Sequence, residues 1–345
     1  MKHILNRRSV LRAFATMTAA LLIAACGNDD DDQPTVESVV SFGDSLSDLG
    51  THRWGAVEAA GGGRYTTNPG PVWVEQVATS FGVAIERNRT GGAGNPSPQQ
   101  LGGLGYAEGG ARVAQLPGVG QNPSGIPGVP VESTALPVRQ QISAHLQRGP
   151  ITGSQLVLVW AGANDIFFQL AVFNQAVGVG IPQETALKTA VDAVVRAGAE
   201  LVVDVKLLAA AGAERIVVLD APDVAVTPFG VKATDAARVV MTTLVQAFNQ
   251  VLGAGLADVP GVVRVDTNGR FRELRANPSA FGLVNVDAPA CVLTPQQTSS
   301  LYCTPSNLVA PDAASRYLFA DDVHPTTAGH SQIAQLVLDR LKEAD

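Results

Sequence analysis

Ser45 stands in Ser41-Phe42-Gly43-Asp44-Ser45-Leu46, on a glycine-containing turn straight after the apolar run Val36, Val39, Val40 and Phe42. A serine at the carboxyl end of a strand and the mouth of a following helix projects its hydroxyl where a substrate can reach it. That hydroxyl is a weak nucleophile at neutral pH, so acyl-transfer chemistry needs an imidazole to take its proton and a carboxylate to hold the imidazole. Far along the chain, Asp321 and His324 lie three residues apart, just ahead of a Pro325-Thr326-Thr327 helix start. His324 fits the base and Asp321 its orienter, with Asp322 as the competing carboxylate.

Two segments between these ends can supply hydrogen bonds to an oxyanion: Tyr106-Ala107-Glu108-Gly109-Gly110 and Gly162-Ala163-Asn164-Asp165. A glycine N–H approaches developing negative charge with no Cβ in the way, and an asparagine amide at a strand end can add a second donor. With the four segments in this order, the chain resembles the GDSL, or SGNH, family of serine esterases and lipases, in particular its phospholipase and lecithinase-like branch. The resemblance implies Ser45 as nucleophile, His324 and Asp321 as the rest of a triad, and an oxyanion hole built from the N–H groups of Ser45 and Gly110 and the side chain of Asn164. Gly105 stands where the family's second block often has asparagine, which leaves open whether Gly109 or Gly110 points inward. The resemblance also implies an α/β fold, a three-layer flavodoxin-like sandwich around a mainly parallel five-stranded sheet of order 2-1-3-4-5, with the catalytic loops beyond the strands' carboxyl ends.

The elements that must position these residues are legible in the pattern. Short β-rich runs at 36–42, 83–86, 155–161, 215–220 and 261–266 alternate with helical stretches, as in a parallel sheet covered on both faces. Leu156 to Trp160 is apolar without alternation, the mark of a central strand buried on both sides. Segments 184–211 and 233–256 read as long covering helices, whereas 91–137 and 268–315 read as irregular stretches that wall the cleft. His330 has Ile333, Ala334 and Val337 at helical spacing and reads as core-facing; His52 and His145 have no partner in view. Trp54, Trp73 and Trp160 read as packing residues, with contact to substrate the alternative for Trp54, just after the Ser45 turn.

Residues 1–25 read as a bacterial lipoprotein signal peptide: Lys2, Arg7, Arg8 and Arg12, then a 13-residue apolar stretch to Ala25, then Cys26. The apolar stretch is shorter than the roughly 20 residues a spanning helix needs. Cys26 would become the acylated first residue, Gly27 behind it suggests outer-membrane sorting, and Asn6-Arg7-Arg8 also resembles a twin-arginine export signal. Residues 26–35, with four consecutive aspartates, form a solvated acidic tether, and 36–345 a single catalytic domain. Loss of residues 1–25 leaves 20 Lys and Arg against 31 Asp and Glu, so nucleic acid is not an expected partner. Cys291 and Cys303, the two cysteines that remain, are expected to form a disulfide in an exported protein. No spacing suggests a metal site, and nothing suggests a cofactor. The expectation is an exported, lipid-anchored monomer that hydrolyses carboxylic esters of small molecules or lipids. Acyl transfer to a lipid or sugar alcohol is the alternative within chemistry, and a surface-binding lipoprotein without turnover the alternative outside it.

Overall fold

The computed structural model describes residues 35–91, 95, 97–120, 132–133, 135–295 and 297–344. The expected signal peptide, Cys26 and all of the tether except Thr35 lie outside the described residues. Four parallel strands form the central sheet: β1 (Ser38–Gly43), β2 (Gln155–Trp160), β3 (Arg215–Leu219) and β4 (Val262–Val265), in the order β1-β2-β3-β4. Phe42 pairs with Val159, and Trp160 with Leu219, so the strand ends align at their carboxyl edge. Every residue from Leu156 to Trp160 is buried, because β2 lies between two neighbours and under helices on both faces.

Alternation along the strands splits the core in two. Val40, Phe42, Val157, Val159, Ile216 and Val218 pack under α2 (Val138–Leu146), α3 (Ala163–Gly178), α4 (Gln183–Ala210) and α5 (Asp235–Gly255). Val39, Leu156, Leu158, Trp160, Val217 and Leu219 pack under α1 (Trp73–Ser80), α6 (Thr267–Ala276) and α7 (Thr327–Ala344). The result is the three-layer α/β/α sandwich. A further parallel pair, β5 (Asn285–Pro289) and β6 (Tyr317–Phe319), leads the chain to Asp321 and His324, and Cys291 and Cys303 are joined as a disulfide beside it.

Two expectations are corrected. Residues 83–86 form no strand, and a fifth strand beside β1 is replaced by Gly105, which bridges in parallel to both Ser41 and Arg87. Ser41 N–H donates to the Leu104 carbonyl at 3.1 Å and Tyr106 N–H to the Ser41 carbonyl at 2.8 Å. The place next to β1 is thus taken by a glycine-rich strip with no strand propensity, because backbone groups alone make these bonds. A Cβ at Gly105 would come within 2.3 Å of Leu49 Cδ1. Residues 267–276, read largely as irregular, form α6: the turn-like Thr267-Asn268-Gly269 is its first turn, Asp266 Oδ1 accepts the Gly269 N–H at 2.6 Å, and Phe271 and Leu274 are buried.

His330, on α7, faces the core as its spacing predicts. It is fully buried, its Nε2 lies 3.4 Å from the Tyr65 carbonyl and its Nδ1 has no partner among the described residues. Burial pushes the imidazole down to about 3, overcoming the pull of that carbonyl. The unfolded chain therefore takes up a proton that the folded chain refuses, and stability present above pH 6.5 is lost as pH falls toward 3. Urea unfolding of the wild type and His330→Leu at pH 7.5 and 5 should show the wild type losing more stability between the two pH values.

Candidate active site

Gly43 ends β1 beneath the last carbonyl of β2: a Cβ there would sit 2.3 Å from the Trp160 oxygen, so only glycine lets the chain turn out of the sheet at this point. The side chain of Gln141, buried on the apolar face of α2, accepts from the Gly43 N–H at 3.0 Å and donates to its carbonyl at 2.9 Å. An amide side chain here does what a neighbouring strand would do. Asp44 then caps a single 3₁₀ turn, Ser45–Ser47, by accepting the Leu46 N–H at 3.0 Å. Trp73 on α1 donates its indole N–H to Ser47 Oγ at 3.1 Å, so the turn is held from both layers.

The structure brings Ser45, His324 and Asp321 together across the whole length of the chain. Ser45 Oγ lies 2.9 Å from His324 Nε2, and His324 Nδ1 lies 2.8 Å from Asp321 Oδ2. Asp321 is buried and also accepts the N–H groups of Ser300, Val323 and His324 at 2.6, 2.9 and 2.7 Å. Burial alone would raise its carboxyl, but the charge and hydrogen bonds of His324, with the backbone donors, hold it well below the ordinary carboxylate range. Asp322 instead pairs with Lys232 at 2.6 Å on the surface. Asp44 is the contrasting case: burial pushes its carboxyl up to about 7 against the Leu46 N–H and the His324 charge, and its Oδ2 has no partner among the described residues.

Gly109 and Gly110 are separated by their hydrogen bonds. Gly109 N–H is committed to Asp48 Oδ2 at 2.8 Å, whereas the N–H groups of Gly110 and Ser45 have no acceptor among the described residues. Gly110 turns at φ of 88°, a left-handed conformation that favours glycine. Asn164, in the first turn of α3, gives one amide hydrogen to the Ala111 carbonyl at 3.0 Å and retains the other. Ser45, Gly110, Asn164 and His324 all line one cleft of about 450 Å³ with mostly apolar walls, among them Leu46, Phe167, Val224 and Leu301. Three unused donors thus stand around a serine that touches an imidazole, an arrangement able to stabilise a tetrahedral oxyanion formed at that serine.

Several residues escape a sequence reading. The reach of Asp48 from the loop after Ser45 to the Gly109 N–H is one, His52 is partnered by Thr51 and Asp48, and His145 Nδ1 by the Tyr106 hydroxyl at 3.2 Å, which corrects the view of these histidines as partnerless. Tyr65 packs on the His324 ring with centroids 4.7 Å apart. Trp73 and Trp160 are core residues, but Trp54 lines the cleft. The only signal for Gln141 is a lone amide on the apolar face that carries Val138, Ile142 and His145. Among the described residues no cluster of three or more His, Cys, Asp or Glu could hold a metal ion.

Asp165 fastens the loop that follows Gly110 to α3. It accepts Arg112 Nε at 3.0 Å and the Val113 N–H at 2.9 Å, and Arg112 lies over the Phe168 ring at 4.2 Å. Burial outweighs Arg112 and raises this carboxyl, so the pair exists at the cost of desolvation. Asp165→Ala leaves the guanidinium buried and unpaired; it should lower stability by about 3–5 kcal/mol in urea unfolding and reduce turnover by displacing Gly110.

The GDSL-like Lipase/Acylhydrolase family model matches residues 39–337. The chain is similar to a phosphatidylcholine-sterol acyltransferase of Aeromonas hydrophila, 24% identical over 366 residues that cover 91% of this chain and 92% of that protein. It is 31% identical to a GDSL esterase/lipase of Arabidopsis thaliana over 144 residues, covering 40% of this chain and 39% of that one. A similar solved structure is phospholipase A1 from Streptomyces albidoflavus NA297, at 17% identity and a TM-score of 0.46, covering 89% of this chain and 98% of that chain. Since the family match runs from β1 into α7 and takes in both the turn at Ser45 and the segment with Asp321 and His324, the chain belongs to the GDSL-like lipase/acylhydrolase family, enzymes that act on carboxylic esters.

Proposed function

We propose that this enzyme hydrolyses carboxylic esters through an acyl-enzyme on Ser45. The observation that carries the reading is the unbroken line from Ser45 Oγ to His324 Nε2 at 2.9 Å and from His324 Nδ1 to Asp321 Oδ2 at 2.8 Å. His324 takes the Ser45 proton as Oγ attacks the ester carbonyl. The oxyanion is held by the N–H groups of Ser45 and Gly110 and the free amide hydrogen of Asn164. Asp321, kept ionised by its own donors, stabilises the imidazolium, which then protonates the departing alcohol. Water, activated by His324 in the same way, releases the acid.

Short- to medium-chain acyl esters are the default substrates, with phospholipids and polymer esters behind them; the apolar cleft of about 450 Å³ supports an acyl chain rather than a charged acid. Acyl transfer is the second reading, favoured by the likeness over 92% of its length to a protein named phosphatidylcholine-sterol acyltransferase. The two differ only in whether water or an alcohol meets the acyl-enzyme. Free acid and acylated alcohol, measured with the acceptor dilute in water, separate them.

Hydrolysis of p-nitrophenyl esters from acetyl to palmitoyl by the wild type, Ser45→Ala and Asn164→Ala tests the assignment. Ser45→Ala should abolish turnover, and Asn164→Ala should lower kcat on the order of a hundredfold or more. Full activity in Asn164→Ala would remove it from the oxyanion hole.

The reading extends to location: an exported lipoprotein anchored in the outer membrane through Cys26, with the acidic tether holding the enzyme off the lipid. Cys26→Ser should move the protein from the membrane to the soluble fraction while leaving its specific activity intact, as read by fractionation and ester hydrolysis.

A further inference from the structure

His52 is a second imidazole in the cleft, and the acyl-enzyme chemistry does not use it. Its Nδ1 lies 3.1 Å from Thr51 Oγ1, 3.5 Å from Asp48 Oδ2 and 3.5 Å from the Tyr65 hydroxyl. Proton bookkeeping assigns its tautomer. Asp48 is buried and accepts four hydrogen bonds, from the N–H groups of Gly50, Thr51 and Gly109 and from the Thr51 hydroxyl at 2.5 Å. The single Thr51 hydroxyl proton is therefore spent on Asp48, and Thr51 Oγ1 turns a lone pair toward His52. Two acceptors, Thr51 Oγ1 at 3.1 Å and Asp48 Oδ2 at 3.5 Å, thus face Nδ1 and favour the hydrogen there over donation from the Tyr65 hydroxyl, and in that tautomer Nε2 is the acceptor of the uncharged ring. Nε2 has no partner among the described residues, and the ring, only 13% exposed, is part of the cleft lining.

Its position says which part of a substrate it meets. The leaving oxygen receives its proton from His324, so the alcohol part of the ester lies against that imidazole and whatever packs beyond it. Beyond it come Tyr65, with ring centroids 4.7 Å from His324, and then His52, 5.6 Å from Tyr65 in an edge-on contact. A hydrogen-bond acceptor thus stands one aromatic ring past the catalytic base, in a cleft whose walls are otherwise mostly apolar.

We propose that His52 is a specificity-determining residue whose Nε2 accepts a hydrogen bond from a free hydroxyl on the alcohol part of the ester, so that the enzyme favours esters of polyols over esters of simple alkanols. The inference rests on the Ser45 acyl-enzyme reading, since it needs His324 to define the alcohol side.

The test compares kcat/KM for glycerol monobutyrate and propyl butyrate, which share an acyl group and differ in the free hydroxyls. The mature wild type should prefer the glycerol ester, and His52→Ala should lower that preference by about fivefold, the size of one neutral hydrogen bond, chiefly through KM for the glycerol ester. His52→Gln, which retains an acceptor, should recover part of the preference. An equal fall on both esters in His52→Ala would mean a structural role and overturn the proposal. The wild type decides alone if the alanine variant fails to fold, because turnover with no preference for the glycerol ester overturns it as well. Labelling of Ser45 by a phosphonate ester keeps the two readings apart: a labelled, active enzyme without hydroxyl preference defeats only the His52 inference, whereas an unlabelled, inert wild type defeats both.

Discussion

The buried carboxylate of Asp48 is the fastening on which the rest of the site depends. It lies three residues after Ser45 and gathers donors from two loops, Gly50 and Thr51 on its own side and Gly109 on the other. An ionised carboxylate removed from water must have its lone pairs met, and four donors meet them here; burial raises its carboxyl, but His52 and Thr51 more than offset this and hold it below its ordinary range. The consequence is geometric. With Gly109 N–H tied down, the chain turns at Gly110 and leaves the next N–H facing the cleft. The same carboxylate, through Thr51, orients the imidazole of His52.

A second carboxylate does the equivalent work at the other end of the chain. Asp321 accepts three backbone N–H groups in addition to His324, and one of them belongs to Ser300 within the loop closed by Cys291 and Cys303. That loop is in turn stitched to the first half of the protein, since the Cys303 carbonyl accepts both the N–H and the side chain of Asn68. Residues far apart in sequence are thus held to within a hydrogen bond at Ser45 and His324 by backbone groups and buried polar side chains, not by apolar packing alone. Asp44 and Asp48 sit four residues apart with opposite outcomes: burial dominates where one N–H is offered, and hydrogen bonds dominate where four donors are.

Legibility followed periodicity. The four sheet strands and the long helices α4 and α5 were readable within a residue or two, because burial on one or both faces imposes a repeat that apolar residues report directly. The edge of the sheet was not, because Leu104 to Tyr106 pairs with β1 through backbone groups that any residue carries and glycine carries best where Leu49 crowds it. Helix α6 was missed for a related reason: Asn-Gly reads as a turn, and only Asp266 and the burial of Phe271 and Leu274 make it a helix start.

From residue types and spacing came the α/β class, the cysteine pair and the serine, histidine and carboxylate that could act together, and the family resemblance of the four short segments added the choice of Asp321 and the roles of Gly110 and Asn164. Those depend on local pattern, and local pattern is written along the chain. Tertiary structure decided which glycine N–H is free, that Gln141 substitutes for a strand at Gly43, that Tyr65 backs His324 and that His52 lines the cleft with its Nδ1 against Thr51. Each of these is a hydrogen bond or ring contact between loops without periodicity, and the direction of a single N–H or lone pair is set only when the partner that satisfies it has been brought alongside by the fold.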